Sequence, residues 1–315
     1  MPLAQLAQTA PRGRPRGTPV DPPAFLGYDA DVRPTREQLE VLSRTERLAL
    51  EIGDYMARPR FTRFSEVYLS VVMGSLIYSC CGRRLRIVGL DALEPTSRKD
   101  RVLLVANHRS FFDFYTITAV LFWRTKFPKR IFFPTRSTFF YDHPAGPLVN
   151  LSMSAMRMFP PILRDGSRGT FNNWAIDRCV AELNTPGTIV GIHPEGTRNK
   201  SDDPYAFLPA QPGAGRLALC ADPEVRVIPV FALGTGNSIA SEMKKNITAP
   251  EDHPTSLYFG APLDFADLRA RGIRATTAKR AADRCLDAIR ALAEQHRRDT
   301  GAARATPART ERVAG

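Results

Sequence analysis

The sequence predicts an α/β fold: a mainly parallel sheet flanked by helices and preceded by an N-terminal helical segment that interacts with a membrane. Short apolar runs bounded by turn residues indicate buried strands, and amphipathic segments with a helical period alternate with them. A run of sixteen residues without a charge, 67–82, indicates the membrane-interacting segment. The strands are predicted at 101–106, 188–192, 225–232 and 256–259.

Three helices are predicted, at 35–58, 171–183 and 276–298. In the last of them, apolar residues recur at steps of three and four, which places one apolar stripe against a core. These residues are Ala278, Ala282, Cys285, Ile289, Leu292 and Ala293. Because strands and helices alternate along the chain, we expect the helices to cover the faces of the sheet.

The chain is predicted to fold as one domain over 35–298, with 35–82 as its helical segment. Residues 1–34 contain seven prolines and few large aliphatic side chains, and 299–315 consist mostly of Ala, Arg, Thr, Gly and Pro. Neither stretch has enough apolar surface to offset the entropy of ordering, so both are expected to be disordered tails. The interior contains no tandem repeat and no linker rich in Pro and Gly.

The net charge of +12 arises from 44 Lys and Arg residues against 32 Asp and Glu. Most of the excess lies outside the two tails, which favours an anionic partner: a nucleic acid, a lipid surface or a phosphorylated substrate. A soluble basic protein without such a partner is the alternative. Five cysteines without a CxxC pair predict a reducing compartment, and no apolar stretch typical of a secretory signal opens the chain.

Two segments suit contact with a membrane. A spanning helix needs about 20 residues, with about 17 as the lower limit, so 67–82 predicts a helix that lies in or dips into the bilayer. A buried core helix is the alternative. Residues 114–141 contain ten aromatic and five basic side chains and no acid, which suits a lipid surface, single-stranded nucleic acid, or an aromatic core helix beside a basic loop.

The first segment with catalytic potential is NHRSFFD at 107–113, which follows the strand 101–106. Ser110 is placed to cap the next helix, with Asp113 at its third position. His108 on the loop and Asp113 in the first turn can then approach each other. A carboxylate bonded to one imidazole nitrogen fixes the tautomer and leaves the other nitrogen to take a proton from a hydroxyl. A capping role alone for Asp113 is the alternative.

The second such segment is HPEGTR at 193–198, which follows the strand 188–192. Loops at this end of a parallel sheet bind ligands. Gly196 permits close backbone approach, Thr197 offers a hydroxyl, and Arg198 can hold two phosphate oxygens. The segment FPPILR at 159–164 would bring Arg164 to the same place, so the loops together predict a phosphate site.

Four ordered blocks carry a resemblance to a known family: NHRSFFD at 107–113, FPPILR at 159–164, PEGTR at 194–198 and VIPV at 227–230. Together they resemble the glycerolipid acyltransferases, whose best-known members are the lysophosphatidate acyltransferases. The resemblance covers about residues 65 to 262. It implies acyl transfer from an acyl-CoA or acyl-carrier-protein thioester to a glycerol phosphate hydroxyl, without a covalent acyl-enzyme.

The resemblance also implies roles for individual residues. His108 is the general base, and Asp113 orients it. The acceptor site comprises Glu195, Gly196, Thr197 and Arg198, with Arg164 on the phosphate, and weaker candidates are Asn107, Ser110 and Arg136. The backbone N–H groups near Arg109 and Ser110 are expected to stabilise the thioester oxygen. His193, where the family usually has an aromatic or aliphatic residue, is expected to be structural.

The expected acceptor is lysophosphatidate, which gives phosphatidate. Glycerol 3-phosphate or another lysolipid is the alternative within the class, and a noncatalytic lipid-binding protein or a nucleic-acid binder is the alternative outside it. No metal is expected, because the histidines lack metal-ligand spacing and HExxH is absent. The resemblance implies no cofactor beyond the acyl donor as co-substrate, and no nucleic acid is expected as a partner. We expect a peripheral or monotopic protein at the cytoplasmic face of a membrane, with phospholipid, the lysophospholipid acceptor and the acyl donor as partners.

Overall fold

The computed structural model describes residues 32–94, 99–126, 130–136, 157–163 and 169–302. Its strands are β1 (Leu85–Val88), β2 (Val102–Ala106), β3 (Arg130–Phe132), β4 (Thr135–Arg136), β5 (Pro161–Ile162), β6 (Thr188–Ile192), β7 (Arg226–Leu233) and β8 (Thr255–Phe259). Within these residues, β4 and β5 form a separate parallel ribbon, and the other strands form one sheet.

The sheet has the order β1-β8-β7-β2-β6-β3. All neighbours in it are parallel except β7 and β8, which confirms the predicted mainly parallel sheet. The four predicted strands agree with β2, β6, β7 and β8 to within one residue at each end. The prediction missed β1 and β3, which are short edge strands of four and three residues, each containing an arginine.

The described helices are α1 (Arg36–Glu40), α2 (Arg44–Ala57), α3 (Thr62–Val67), α4 (Gly74–Cys81), α5 (Asp113–Arg124), α6 (Gly169–Leu183), α7 (Pro212–Cys220), α8 (Ile239–Thr248), α9 (Ala266–Arg269) and α10 (Ala275–Thr300). They cover both faces of the sheet. Leu103 and Val105 of β2 pack with α2, α6, α7 and α10. The alternate residues Leu104 and Ala106 pack with α4 and α5 on the other face.

The prediction of a single helix at 35–58 is wrong, because the helical structure is interrupted between α1 and α2. Ser43 ends the break by capping α2: its hydroxyl accepts the N–H of Glu46, and the Glu46 carboxylate accepts the N–H of Ser43. Such a reciprocal box starts a new helix. The carbonyl of Val32 accepts a hydrogen bond from Trp174 Nε1, and the domain limits at 35 and 298 stay predictions. The parts of the predicted tails at 1–31 and 303–315 lie outside the described residues.

A continuous apolar helix runs from Pro59 to Cys81. It consists of a 3₁₀ turn (Pro59–Phe61), α3, a π-helical turn (Tyr68–Met73) and α4. The helix has 23 residues and is long and apolar enough to cross a membrane by length and composition. The prediction of a helix too short to span was therefore wrong about its length, because helical structure extends beyond the uncharged run. About a third of its most apolar window is buried, and membrane contact stays a prediction.

The aromatic residues of 114–141 divide between the core and the surface. Tyr115, Phe122, Phe132 and Phe133 are buried, so the interpretation as a lipid-contacting face is wrong for these rings. Trp123, at the end of α5, is 44% exposed. Residues 127–129 and 137–141 lie outside the described part of the chain.

Candidate active site

Three loops meet at the carboxyl edge of the sheet, because β2 is parallel to both of its neighbours, β6 and β7. They are 107–112, 193–199 and 234–238. Ligands of open parallel sheets bind at this edge. The two sequence motifs with catalytic potential occupy the first two of these loops.

Asn107 determines how the chain leaves β2. Its buried amide donates from Nδ2 to the carbonyl of Ala232 at 2.8 Å and accepts the N–H of Ala232 at 2.7 Å. The side chain thereby continues the pairing of β2 with β7 beyond Ala106. These contacts give Asn107 a structural position directly before His108, with both polar groups of its amide occupied by main chain.

The structure brings His108 and Asp113 together. His108 Nδ1 lies 3.2 Å from Asp113 Oδ2, and the same oxygen accepts the N–H groups of Arg109 and Ser110, each at 2.7 Å. A carboxylate only accepts, so Nδ1 carries the proton and Nε2 is the basic nitrogen. The side chain of His108 is 21% exposed, whereas that of Asp113 is buried. The pair therefore has the geometry of an oriented general base.

One of the two hydrogen bonds of the predicted capping arrangement is present, because the Asp113 carboxylate accepts the N–H of Ser110. Asp113 is the first residue of α5, not the third, and its carboxylate folds back over the loop. The hydroxyl of Ser110 donates to the carbonyl of Gly236 at 2.8 Å and accepts the N–H of Phe112 at 3.0 Å. Ser110 thus joins the first and third loops, and the N–H of Asp113 donates to the carbonyl of Ser110 at 3.4 Å.

The expectation that loop N–H groups stabilise the thioester oxygen is wrong for this loop. The N–H groups of Arg109 and Ser110 both bond to Asp113. The N–H of Phe111 donates to Asn237 Oδ1 at 2.8 Å. These donors hold the loop in shape and are already occupied.

Burial controls the charge of Asp113. It raises the pKa of this carboxyl from 3.8 to about 6, although the N–H groups of Ser110 and Arg109 act in the opposite direction. Desolvation penalises the charged form of a buried acid. The His108–Asp113 pair is therefore sensitive to mildly acidic pH.

Glu195 is a buried link between loops. Its Oε1 accepts the N–H of His108 at 2.9 Å and its Oε2 accepts the N–H of Leu208 at 2.7 Å. The carbonyl of His108 accepts the N–H of Asn199 at 2.8 Å. Burial raises the pKa of the Glu195 carboxyl, and the two N–H groups oppose this effect. Both carboxylate oxygens face main chain, so the geometry favours positioning of His108 over the predicted contact with the acceptor.

The remainder of the second motif lies at the rim. Gly196 is exposed and has φ +65°, in the left-handed region that favours glycine. Thr197 and Arg198 are half-buried. Arg198 Nη1 donates to Asn237 Oδ1 at 3.1 Å, the oxygen that also accepts the N–H of Phe111. Asn237 was not predicted from the sequence, and its position five residues after the predicted strand 225–232 is the only local indication of it.

Neither of the two remaining predicted arginines has a described side chain. Arg164 lies outside the described residues, as does the side chain of Arg136. The backbone of Arg136 in β4 pairs with Ile162 in β5, two residues before Arg164. Their predicted contact with phosphate stays a prediction.

The side chains of His108, Asp113 and His193 have ligand atoms within 4.8 Å of one another, but they do not fit a metal ion. The two imidazole rings are stacked with centroids 3.8 Å apart and planes 5° from parallel. Their lone pairs lie in parallel planes and do not converge. Nδ1 of His193 also donates to the carbonyl of Ala106 at 2.9 Å.

Comparison with known proteins agrees with this geometry. Residues 84–232 match the Acyltransferase family model. Over 153 residues, the chain is 30% identical to the chloroplastic 1-acyl-sn-glycerol-3-phosphate acyltransferase LPAT1 of Arabidopsis thaliana. The matched part covers 49% of this chain and 37% of that relative, so the comparison spans little more than a third of the relative's length. The similarity therefore includes the His108 and Glu195 loops, which both lie within the matched residues 84–232.

Proposed function

We propose that the protein is an O-acyltransferase that transfers a fatty acyl group from an acyl-CoA or acyl-carrier-protein thioester to lysophosphatidate. The product is phosphatidate, and the process served is phospholipid biosynthesis. The observation that carries the proposal is the His108–Asp113 pair at the carboxyl edge of the sheet. Similarity to a plant enzyme named for the acceptor 1-acyl-sn-glycerol 3-phosphate supports the choice of lysophosphatidate.

In the proposed reaction, Nε2 of His108 takes the proton of the acceptor hydroxyl while the hydroxyl oxygen attacks the thioester carbonyl carbon. The imidazolium that forms is stabilised by the Asp113 carboxylate. Collapse of the tetrahedral intermediate breaks the C–S bond, and the departing thiolate takes the proton back from His108. The products are the new ester and the free thiol, and His108 is regenerated.

Arg198 is the described cation best placed for the acceptor phosphate. It lies on the rim next to the His108 loop, to which Asn237 connects it. The guanidinium of Arg109, in contrast, donates to the carbonyls of Ser201 and Asp203. Glycerol 3-phosphate carries the same phosphate and remains the rival acceptor, so the phosphate contact alone does not separate the two.

The proposed function is tested by thiol release from palmitoyl-CoA and from palmitoyl-carrier protein, with the full chain reconstituted in phospholipid vesicles. Lysophosphatidate, glycerol 3-phosphate and no acceptor are compared. We expect release that requires lysophosphatidate and yields phosphatidate. Release with glycerol 3-phosphate alone would contradict the acceptor, release without any acceptor would indicate a thioesterase, and no release from either donor would favour a noncatalytic lipid-binding protein.

The same assay tests the acceptor site. Arg198→Ala is expected to raise KM for lysophosphatidate by about tenfold to a hundredfold with a smaller change in kcat, because a hydrogen bond to a charged group contributes about 1.5–3 kcal/mol. Arg36→Ala is the matched control, since the Arg36 side chain is 94% exposed on α1 and pairs with Glu40. An unchanged KM in Arg198→Ala would remove Arg198 from the acceptor site.

We further propose that the protein binds the cytoplasmic face of a membrane. The supporting observation is an apolar face on the helix 59–81 and the end of α5, whose side chains are 37% to 59% exposed: Phe64, Val67, Val71, Val72, Tyr78 and Trp123. Trp123 joins this face to α5 by stacking on Tyr78 and donating to the carbonyl of Ser70. Exposed Arg60, Arg63 and Arg83 flank the face along the chain and complement anionic headgroups.

Membrane binding is tested by co-sedimentation with vesicles of phosphatidylcholine, with and without phosphatidylglycerol. The double variant Val71→Asp with Val72→Asp is expected to bind at least tenfold more weakly, because a carboxylate is unfavourable in the acyl region. Leu48→Asp is the control, since Leu48 is equally exposed but lies on α2. Unchanged binding of the double variant, or equal loss in the control, would contradict this face.

A further inference from the structure

Four aromatic rings form a column along the carboxyl edge of the sheet. His108 stacks on His193 at 3.8 Å and Phe114 stacks on Phe133 at 4.4 Å between centroids. Between these two pairs, the rings of His193 and Phe114 lie 4.0 Å apart with their planes tilted by 37°. His193 and Phe133 directly follow the strands β6 and β3, His108 comes two residues after the end of the neighbouring strand β2, and Phe114 lies in the first turn of α5. The column therefore crosses three adjacent strands and ends on the proposed general base.

Gly191 makes room for this column. A Cβ at residue 191 would lie 2.5 Å from the ring of Phe133 and 2.7 Å from the ring of Phe114. Real Cβ atoms do not approach other atoms so closely, and a stiff aromatic ring in a packed column cannot move away cheaply. The small residue in β6 thus belongs to the same arrangement as the rings.

His193 is held in one tautomer. Its Nδ1 donates to the carbonyl of Ala106 at 2.9 Å, and a carbonyl only accepts, so the proton resides on Nδ1. Burial lowers the pKa of His193 to about 3, and the neighbouring His108 acts in the same direction. The ring that stacks on His108 is thus neutral at any pH near neutrality.

The hydrogen bond from His108 to Asp113 is a long one. At 3.2 Å, the Nδ1–Oδ2 distance lies at the long end of the range for N–H···O bonds, and well beyond the roughly 2.7–2.9 Å of charge-assisted ones. A second contact that fixes the plane of the ring would add to this restraint. The flat face of His193, 5° from parallel with the ring of His108, supplies that contact.

We infer that His193 is a positioning residue: its ring, fixed by the Ala106 carbonyl, covers one face of His108 and keeps Nδ1 toward Asp113 and Nε2 toward the acceptor. This inference rests on the proposed acyltransferase function for its kinetic consequence. The orientation of the His108 ring does not depend on the proposed function. His193 does not exchange a proton with the substrate and is not a catalytic residue.

Two variants separate the ring from the hydrogen bond. His193→Phe keeps the stacked face and loses the bond to Ala106, whereas His193→Gln keeps a donor and loses the ring. We expect kcat in His193→Phe to stay within about threefold of the wild type. In His193→Gln, kcat should fall by about tenfold to a hundredfold while KM for lysophosphatidate changes less than threefold, because misorientation of a base lowers the rate of the chemical step.

His296→Gln is the matched control for loss of a buried histidine. His296 bonds to Tyr205 and Ser256 and packs in the core on α10. It lies outside the column. The control is expected to lower the melting temperature without the selective loss of kcat, so a general loss of stability would appear in it as well.

The imidazole nitrogens of His108 provide a readout that does not depend on acyl transfer. In ¹⁵N NMR spectra of the full chain, His108 is expected to be the Nδ1–H tautomer in the wild type and in His193→Phe, and a mixture of tautomers in His193→Gln. Wild-type kcat in His193→Gln, or equal losses in both variants, would overturn the role of the stacked ring. Absence of acyl transfer in the wild type would refute the proposed function only, since the tautomer of His108 would still test the orientation.

Discussion

His108→Ala is expected to lower kcat for acyl transfer to lysophosphatidate by about a thousandfold, within the range of roughly 10²–10⁴ that a positioned acid or base contributes. The variant removes the only group that the proposed reaction uses to take up the hydroxyl proton. The measurement is thiol release from palmitoyl-CoA at saturating acceptor. KM for lysophosphatidate should change little, because Arg198 and the rest of the rim are untouched.

The fold of this variant should persist. The main chain of His108 keeps its hydrogen bonds to Glu195 and Asn199 when the side chain is shortened. Binding to vesicles should also be unchanged, since the apolar face lies elsewhere on the molecule. His253→Ala, at an exposed histidine in the turn before β8, is the control. Turnover of His108→Ala within threefold of the wild type would show that the proposed mechanism is wrong.

Substitution of Asp113 is expected to give the second large loss of activity. Two variants separate the loss of its charge from the loss of its oxygen atoms. Asp113→Asn retains an oxygen for the loop N–H groups but removes the charge that stabilises the His108 imidazolium. It should lower kcat by about 10²–10⁴-fold, the scale found when the acid of a catalytic triad loses its charge. The melting temperature of Asp113→Asn should lie closer to the wild-type value than that of Asp113→Ala does.

Asp113→Ala should lose stability as well as activity. The N–H groups of Arg109 and Ser110 would keep their positions without an acceptor. Each unsatisfied buried donor costs about 1–3 kcal/mol, which is measurable as a lower denaturant midpoint. Asp267→Ala is a suitable control, because Asp267 forms a surface ion pair with Arg284. Equal stability of the two Asp113 variants would show that its oxygen does not hold the loop.

Protonation of Asp113 is expected to lower kcat/KM and to raise the free energy of unfolding. Burial raises the pKa of its carboxyl from 3.8 to about 6, so kcat/KM of the wild type should fall as pH decreases through about 6, where the Asp113 carboxyl gains a proton and no longer stabilises the His108 imidazolium. The folded state binds that proton more tightly than the unfolded state. The contribution of this group to stability is therefore greatest below pH 3.8 and decreases as pH rises to about 6. Asp113→Asn should lack this part of the stability profile.

The sequence predicted the middle of the sheet better than its edges. The buried strands β2, β6, β7 and β8 are continuous apolar runs, which are visible in any single sequence. The edge strands β1 and β3 are short and carry charged residues, so their pairing is decided by the neighbours they meet. The break between α1 and α2 was visible as a capping box at Ser43 and Glu46, and it was missed because the helical period continues across it.

The contacts of the candidate site also differ in how well the sequence predicts them. The spacing of His108 and Asp113 in one loop made their contact predictable, since the strand end and the helix start lie only a few residues apart. The contacts of Glu195 depend on Leu208 and on the backbone of His108, 87 residues away, and no local pattern encodes them. The role of Asn237 as a bridge between Phe111 and Arg198 is likewise a long-range property.

The α/β class, the two motif loops and the contact of His108 with Asp113 were all predictable from the order of residues along the chain. These follow from local periodicity and short spacing along the chain. Three contacts became visible only in the folded protein: the loop N–H groups donate to Asp113, Glu195 is buried against main chain, and His193 stacks on His108. The reason is physical: parallel pairing of β2 with β6 and β7 brings distant loops to one edge, and hydrogen bonds and ring contacts form only between groups that this edge assembles.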